Sequence, residues 1–426
     1  MMKFIIQKVC HGSARCGVLS QFGQNAEQIL ETPLCMLYTR GGSTPHISGD
    51  ILNYMKNIPG LIQIPFSHFV EHQETLEYFG KGIRQFASLK NGFIYTSVQD
   101  PAAEVPSGYN DKNGVAVWSK GGKTMVDVEF FMKSMEAMMP DFYQALSDGD
   151  TEQSSTAKRT KKSVDRTLDF LDEILQIHNK SPKLKNTAVF GVIEGGFLKR
   201  ERERSAKNTA ARAVQGDILD NWLWCILQCR CVASGDFPKG FVLEGLHRSG
   251  VTSESVTTEK MNEVLSHVIN NLPEDKPRLM QSLWTPAKVL EAVEQGIDIF
   301  DSSYPYLATE RGAALVFSFQ STKSLKESNN RAGLKSFEIA LSDPDYAEDF
   351  SPILDNCTCY SCTNFTRAYI NHLLKTSEIL ARVLLMLHNF SHYFGYFEAI
   401  RQALKDNAFL QLKALIQEQA SMLDKE

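Results

Sequence analysis

The chain has 426 residues, 43% apolar and 22% charged, enough for a large core in one α/β barrel with appendages or in two domains. Its net charge of −5 excludes an overall basic surface for gripping nucleic acid, so such a contact needs a local patch or a partner. Phe4-Ile5-Ile6 is too short for a signal sequence, and the longest apolar run, Trp222 to Leu227, is far from a membrane span. Nine irregularly spaced cysteines suit a reducing cytoplasm and metal binding better than a disulfide framework.

In chain order, residues 1–45 read as a small antiparallel sheet. Met2 to Val9 and Pro33 to Tyr38 are its strand candidates, the second closed by Gly41-Gly42. Helical and strand patterns then alternate. Asp50 to Met55 is helical, Gly60 to Pro65 a strand, and His68 to Ala87 helical. Further buried strands are expected at Phe142 to Leu146, Thr187 to Ile193, Gly240 to Leu243, Pro277 to Met280 and Ile297 to Phe300. Helices are expected between them, at Val126 to Met139, Val164 to His178, Lys260 to Asn271 and Ala287 to Gln295. So many alternating units imply a parallel sheet closed into a (β/α)8 TIM barrel over residues 46–320.

Several segments break this rhythm. Asp148 to Ala157 reads as a polar loop, and 321–345 as another. Lys158-Arg159-Thr-Lys161-Lys162 is a solvated helix start rather than a phosphate patch. Lys199 to Arg204, with mixed signs, reads as an exposed helix with i,i+4 pairs. Between Arg212 and Phe237 the composition shifts, with Trp222, Trp224, Cys225, Cys229 and Cys231 close together. These cysteines read as apolar packing residues before they read as a second metal clip. No P-loop, GxGxxG or HExxH motif occurs.

The last part of the chain, 346–426, is a helical subdomain opened by Cys357-Thr-Cys359-Tyr-Ser-Cys362. Three thiols within six residues are too tight for pairwise disulfides and fit one tetrahedral Zn²⁺, which needs a fourth donor. Ile370, Leu373 and Leu374, then Leu380, Val383, Leu384 and Leu387, mark two helices that fold back on each other. His388 then returns towards the thiols, with His372 and His392 as rivals on composition alone.

These residues resemble a known family. CxCxxC, then Asn364-Phe-Thr-Arg-Ala-Tyr-Ile-Asn-His-Leu, Glu378 and His388-Asn389, is similar to the zinc-bearing region of tRNA-guanine transglycosylases from Cys357 to Ala403. The resemblance selects Cys357, Cys359, Cys362 and His388 as ligands of one structural Zn²⁺ per chain. It also makes 213–236 an insertion in a normally short connection. It implies a TIM barrel that exchanges guanine in tRNA for queuine at the wobble position, with an aspartate nucleophile, a second carboxylate as general base and a pocket that reads the flipped-out base.

The barrel departs from that pattern. Gly296-Ile-Asp298-Ile-Phe300-Asp301 is similar to the nucleophile strand, with Asp301 in place, and Asp148 matches the base-binding aspartate. After Asp301 the family has two arginines that hold the anticodon loop. Here Pro305 to Arg311 places Leu307 and Glu310 there, and neither can neutralise phosphate. The family's Gln-Gly-Gly is Glu194-Gly195-Gly196, and its Gly-Gly-Leu is Glu244-Gly245-Leu246. An ionised glutamate only accepts hydrogen bonds where glutamine also donates. The general-base motif Asp-Ser-Gly-Gly is replaced by Tyr95-Thr-Ser-Val-Gln-Asp100-Pro.

The pattern is thus similar to the non-catalytic branch of the family, with no catalytic residue of its own. That branch implies a heterodimer with a catalytic subunit, or a homodimer, through the zinc-pinned helices. It acts on tRNAs with GUN anticodons for aspartate, asparagine, histidine and tyrosine, in the cytoplasm with peripheral association at the mitochondrial outer membrane. The competing expectation is an active transglycosylase using Asp301.

Overall fold

The computed structural model describes residues 2–21, 28–221, 238–250, 253, 256–282, 285–319 and 337–423, with the backbone alone for 213–221 and 422–423. The Cys225, Cys229 and Cys231 cluster and most of the 213–236 insertion lie outside the described residues, as does the 321–336 part of the polar loop.

Three antiparallel strands open the chain: β1 (Lys3–Val9), β2 (Arg15–Ser20) and β3 (Leu30–Thr32), with Phe4 opposite Leu19 and Val18 opposite Glu31. Next come β4 (Leu34–Cys35) and β5 (Leu37–Tyr38), then β6 (Leu61–Pro65) and β7 (Phe93–Ser97). After the hairpin β8 (Val115–Ser119) and β9 (Gly122–Val126), the parallel strands resume with β10 (Phe142–Gln144), β11 (Ala188–Ile193), β12 (Gly240–Leu243), β13 (Arg278–Met280) and β14 (Ile299–Phe300).

The sheet order is β4-β14-β13-β12-β11-β10-β7-β6-β5. Its two ends are halves of one stave. β4 pairs with β14 and β5 with β6, and only Met36 separates them. The Met36 N–H donates to Phe300 O at 2.8 Å. The sheet therefore closes on itself as an eight-stave (β/α)8 barrel. Residues 34–38, expected in the antiparallel sheet, are its first stave. Residues 46–320 therefore lack the stave that closes them.

The staves are buried end to end, which parallel strands covered by helices require. Four of the covering helices start on one device. Thr156, Thr257 and Thr285 each accept a backbone N–H with the side-chain oxygen, ahead of Ala157–His178, Thr258–Ile269 and Pro286–Glu294, and Asp127 does so ahead of Val128–Met138. In Ala157–His178, Val164, Leu168, Leu171 and Leu175 recur every three to four residues and form its buried face.

Arg15 bolts the antiparallel sheet to the barrel. Its guanidinium forks onto Asp298 at 2.9 and 2.7 Å and also donates to Glu274 O and Lys276 O, so a buried charge pair leaves no bare donor at that carboxylate. The C-terminal helices are not an appendage either. Ile379–Lys405 is 27 residues long and apolar around much of its girth. Its Phe390, Tyr393, Phe394 and Phe397 are buried in the main core, with the Phe397 ring 5.4 Å from that of Phe300. Within 321–345, β16 (Glu338–Ala340) pairs antiparallel with β15 (Ala313–Leu315). No helix among the described residues is long and apolar enough to cross a membrane.

Candidate metal centre and the barrel mouth

Cys357, Cys359, Cys362 and His388 bring four donor atoms within 4.8 Å of one another, the only such group of metal-ligating side chains among the described residues. The His388 Nδ1 lies 3.9, 3.5 and 3.3 Å from the three sulfurs. Zn–S bonds of ~2.3 Å and Zn–N bonds of ~2.0 Å at tetrahedral angles put S and N about 3.5 Å apart, so the set can hold such an ion.

Local structure sets this geometry. Cys359 caps the Tyr360–Asn364 helix, its sulfur accepting from the Cys362 N–H. Ser361 ties that helix to Leu384 O at 2.6 Å. On the long helix His388 is fully buried and its Nε2 donates to Leu315 O at 2.8 Å, which fixes the tautomer and leaves the Nδ1 lone pair for the sulfurs. Asn389 grips the same strand, accepting from the Leu315 N–H and donating to Ala313 O. The rivals sit elsewhere. His372 is exposed, and His392 gives its Nε2 to Phe317 O one turn further on.

The other sequence-marked residues gather at the C-terminal end of the staves. Asp301 follows β14 and is 3% exposed. Its oxygens accept from the Ser282 N–H at 2.5 Å and the Ser303 N–H at 2.8 Å. Burial pushes its pKa up against these hydrogen bonds, with a further push from Asp100. Asp100 itself accepts from Tyr38 Oη at 2.7 Å, His68 Nε2 at 3.0 Å and the Ala102 N–H at 2.9 Å. Burial raises its pKa, but His68 and Tyr38 outweigh it and hold the carboxylate below the usual range, a poor setting for a proton acceptor.

Asp148 has no exposed surface. Arg159 forks onto it at 2.9 and 2.5 Å, Arg166 adds 2.9 Å and Asn110 another 2.9 Å. Arg159 is therefore not the solvated residue expected from its basic run. The reading of Lys199 to Arg204 as exposed also needs correction. Arg204 pairs with Glu201 at the surface, but Arg202 is 1% exposed and donates to Ile193 O and Gly196 O at 2.8 and 2.7 Å. It closes off carbonyls at the end of β11.

Glu194 is wholly buried, and neither carboxylate oxygen has a hydrogen-bond partner among the described residues. Burial first, and Glu244 second, push its pKa well above the usual range against the pull of Arg202. Glu244 keeps a face open to the mouth and accepts from Ser147 Oγ at 2.9 Å. Its pKa is also raised by its enclosed position, despite Gln144 and Ser147. Below it, Gln63, Tyr95, Gln144 and Gln281 fill the bore as a hydrogen-bonded layer, with Gln63 donating to Gln281 at 2.5 Å and Gln281 to Gln144 at 3.1 Å.

In the run after Asp301, Glu310 is paired with His46 at 2.5 Å and Arg311 is spent on Glu338 of β16. Sequence reasoning missed Arg166 and the Tyr38–Asp100–His68 cluster. Only the closed barrel brings these groups together, and no local signal marks them.

The family model for queuine tRNA-ribosyltransferase matches residues 10–421. Over 445 aligned positions the chain is 40% identical to the queuine tRNA-ribosyltransferase accessory subunit 2 of Xenopus tropicalis and 38% identical to that of Homo sapiens, covering 99% of this chain and 100% of each relative. The protein of the same name from Ixodes scapularis is 39% identical over 96% of this chain and 99% of its own. The chain belongs to the queuine tRNA-ribosyltransferase family.

Proposed function

We propose that this chain is the non-catalytic subunit of a queuine tRNA-ribosyltransferase, supporting exchange of guanine for queuine at the wobble position of tRNAs with GUN anticodons. It pairs with a catalytic paralogue through the surface around the Cys357–His388 metal centre, where one Zn²⁺ is structural. The observation that carries this reading is the state of Asp148. The one base-reading carboxylate kept from the family pattern has both oxygens engaged by Arg159, Arg166 and Asn110, so it has no free acceptor for an extruded base. Asp301 then serves as a strand-end carboxylate that accepts the Ser282 and Ser303 N–H groups. The relatives' printed name, accessory subunit, supports the same assignment.

When bound, the ion supplies a fixed crosslink. The chain's own part is to hold His388 by Leu315 O and the knuckle by Leu384 O, so that helix, knuckle and β15 move as one. Residence in the cytoplasm, with peripheral association at the mitochondrial outer membrane, belongs to this reading, as does a homodimer when the paralogue is absent. Co-purification tests the partnership. Tagged chain is expected to retain the catalytic paralogue at one to one, and to lose it when Cys359→Ser removes the metal. Retention of the paralogue by metal-free protein would contradict the proposed surface.

A further inference from the structure

At the N-terminal end of the staves, away from the mouth, a cleft of about 450 Å³ lies between the helix Ile379–Lys405, strand β3, the start of the first stave and the loop that leads into β6. That end of a (β/α)8 barrel usually serves stability and is packed. This cleft instead has the size of a small-molecule pocket, which spans ~300–1,000 Å³. The helix turns one stripe towards it: Phe394, Phe397, Glu398 and Arg401 recur at i, i+3, i+4 and i+7 and line it together. Leu34 and Leu61, the first residues of β4 and β6, add apolar wall, and the exposed Lys56 adds a second cation.

The cations here have donors to spare. The Arg401 side chain is 20% exposed, yet its one hydrogen bond among the described residues runs from Nη1 to Pro33 O at 2.9 Å. Its Nε stands 3.7 Å from Glu31, beyond hydrogen-bond reach, and Lys405 holds that carboxylate at 2.9 Å. The Nε and Nη2 edge of Arg401 is therefore unfilled, the same edge that Arg15 forks onto Asp298. Burial lowers the Arg401 pKa against the pull of Glu398 and Glu31, but a guanidinium keeps its charge. Lys56 has no ion pair among the described residues, and neither has the exposed Glu398. Arg401, Lys56 and Lys405 are thus set against Glu31 and Glu398, which leaves one positive charge over.

An unfilled guanidinium edge matches a carboxylate in shape and sign. A phosphate monoester would bring a second negative charge against Glu31 and Glu398, where the surplus covers only one. The cleft is also far larger than a bare ion, and its apolar walls suit a hydrocarbon body. We propose that this cleft binds a small organic monocarboxylate, its head forked onto the Nε and Nη2 edge of Arg401 with Lys56 beside it, and its apolar body against Leu34, Leu61, Phe394 and Phe397. The site stands independently of the subunit reading. It lies at the other end of the barrel from Asp148 and Asp301, and Arg401 is about 20 Å along the helix from His388 at 1.5 Å per residue.

Calorimetric titration of the full-length, metal-loaded chain at pH 7.5 tests this with three probes: 4-phenylbutyrate, its uncharged isostere 4-phenylbutyramide, and the dianion 2-phenylethyl phosphate. Saturable one-to-one binding of 4-phenylbutyrate is expected, with the amide at least about tenfold weaker and the phosphate also weaker. Arg401→Gln should weaken 4-phenylbutyrate about tenfold or more, and Lys56→Gln, on an exposed loop, about twofold or more. Absence of saturable 4-phenylbutyrate binding, equal binding of the amide, tighter binding of the phosphate, or undiminished affinity in a folded Arg401→Gln chain would each overturn the proposal. The first three outcomes are read on the unaltered protein, so a folding defect in a variant cannot shelter it.

Discussion

The Cys357–His388 centre and the barrel mouth lie on one scaffold and have kept opposite things. At the centre the donors point inwards at one another, and the surrounding hydrogen bonds, from His388 to Leu315 O and from Ser361 to Leu384 O, hold them for an ion they do not replace. At the mouth several of the family's positions remain, but apart from Glu194 the carboxylates there are satisfied by neighbouring side chains. Asp148 faces two arginines, Asp100 faces Tyr38 and His68, and Glu310 faces His46. A site stays functional when its second layer orients the first towards a ligand. It becomes scaffold when that layer saturates it.

The largest expected effect tests the centre. Removing the ion by chelation, or by His388→Ala, should destabilise the chain by on the order of 4 kcal/mol or more, since the ligands would then be buried without their crosslink. Metal analysis and thermal unfolding read this together. Full metal occupancy in His388→Ala would make His388 a core residue and dissolve the contrast between the two regions.

The next largest test asks whether Asp148 is scaffold. Asp148→Ala strands Arg159 and Arg166, which are themselves about a quarter exposed, and should cost about 2–3 kcal/mol in denaturant unfolding. A neutral result would mean that the arginines release Asp148 readily and that its acceptors are available.

Glu194 should respond with the opposite sign. Its folded pKa lies above the ordinary 4.5, so the native state holds a proton that the unfolded chain releases. Stability is then full below about pH 4.5 and falls as pH rises towards the folded value. Glu194→Gln should remove that fall and stabilise the chain near neutral pH by on the order of 1 kcal/mol. A variant less stable than its parent at pH 7.5 would show that the carboxylate is well partnered. The smallest effect belongs to the half-exposed pair His46–Glu310. Glu310→Gln should change stability by less than about 1 kcal/mol, and a larger loss would make that pair structural rather than a substitute at an arginine position.

Much of this contrast was legible beforehand, for unequal physical reasons. Staves such as Ala188–Ile193 are fully buried and read as unbroken apolar runs. The CxCxxC knuckle is local, so its spacing alone marks it. Phe93–Ser97 is equally buried, but its Tyr-Thr-Ser letters read as polar; inside the barrel Tyr95 donates to Gln144 and Ser97 to Gln99 O. In the β8–β9 hairpin, β9 alternates half-buried with exposed positions and offers no run, whereas β8 carries the short apolar run Val115-Ala-Val-Trp118, which lies outside the strand–helix rhythm of the barrel. Residues 34–38 carry no local mark of parallel pairing, since their partners Ile299 and Ile62 lie far along the chain. The Arg-Glu alternation at 200–204 looks solvated, yet the helix turns Arg202 alone inwards to the carbonyls of Ile193 and Gly196. Charge partners at the mouth are chosen by closure of the barrel, and no short pattern encodes them.

The most direct measurement is guanine-for-queuine exchange on a tRNA with a GUN anticodon, by the isolated chain and by the chain reconstituted with its catalytic paralogue. The account predicts no exchange by the chain alone, exchange by the pair, and an unchanged rate when this chain carries Asp301→Ala. Exchange by the isolated chain that disappears with Asp301→Ala would contradict it and restore the mouth as a working active site.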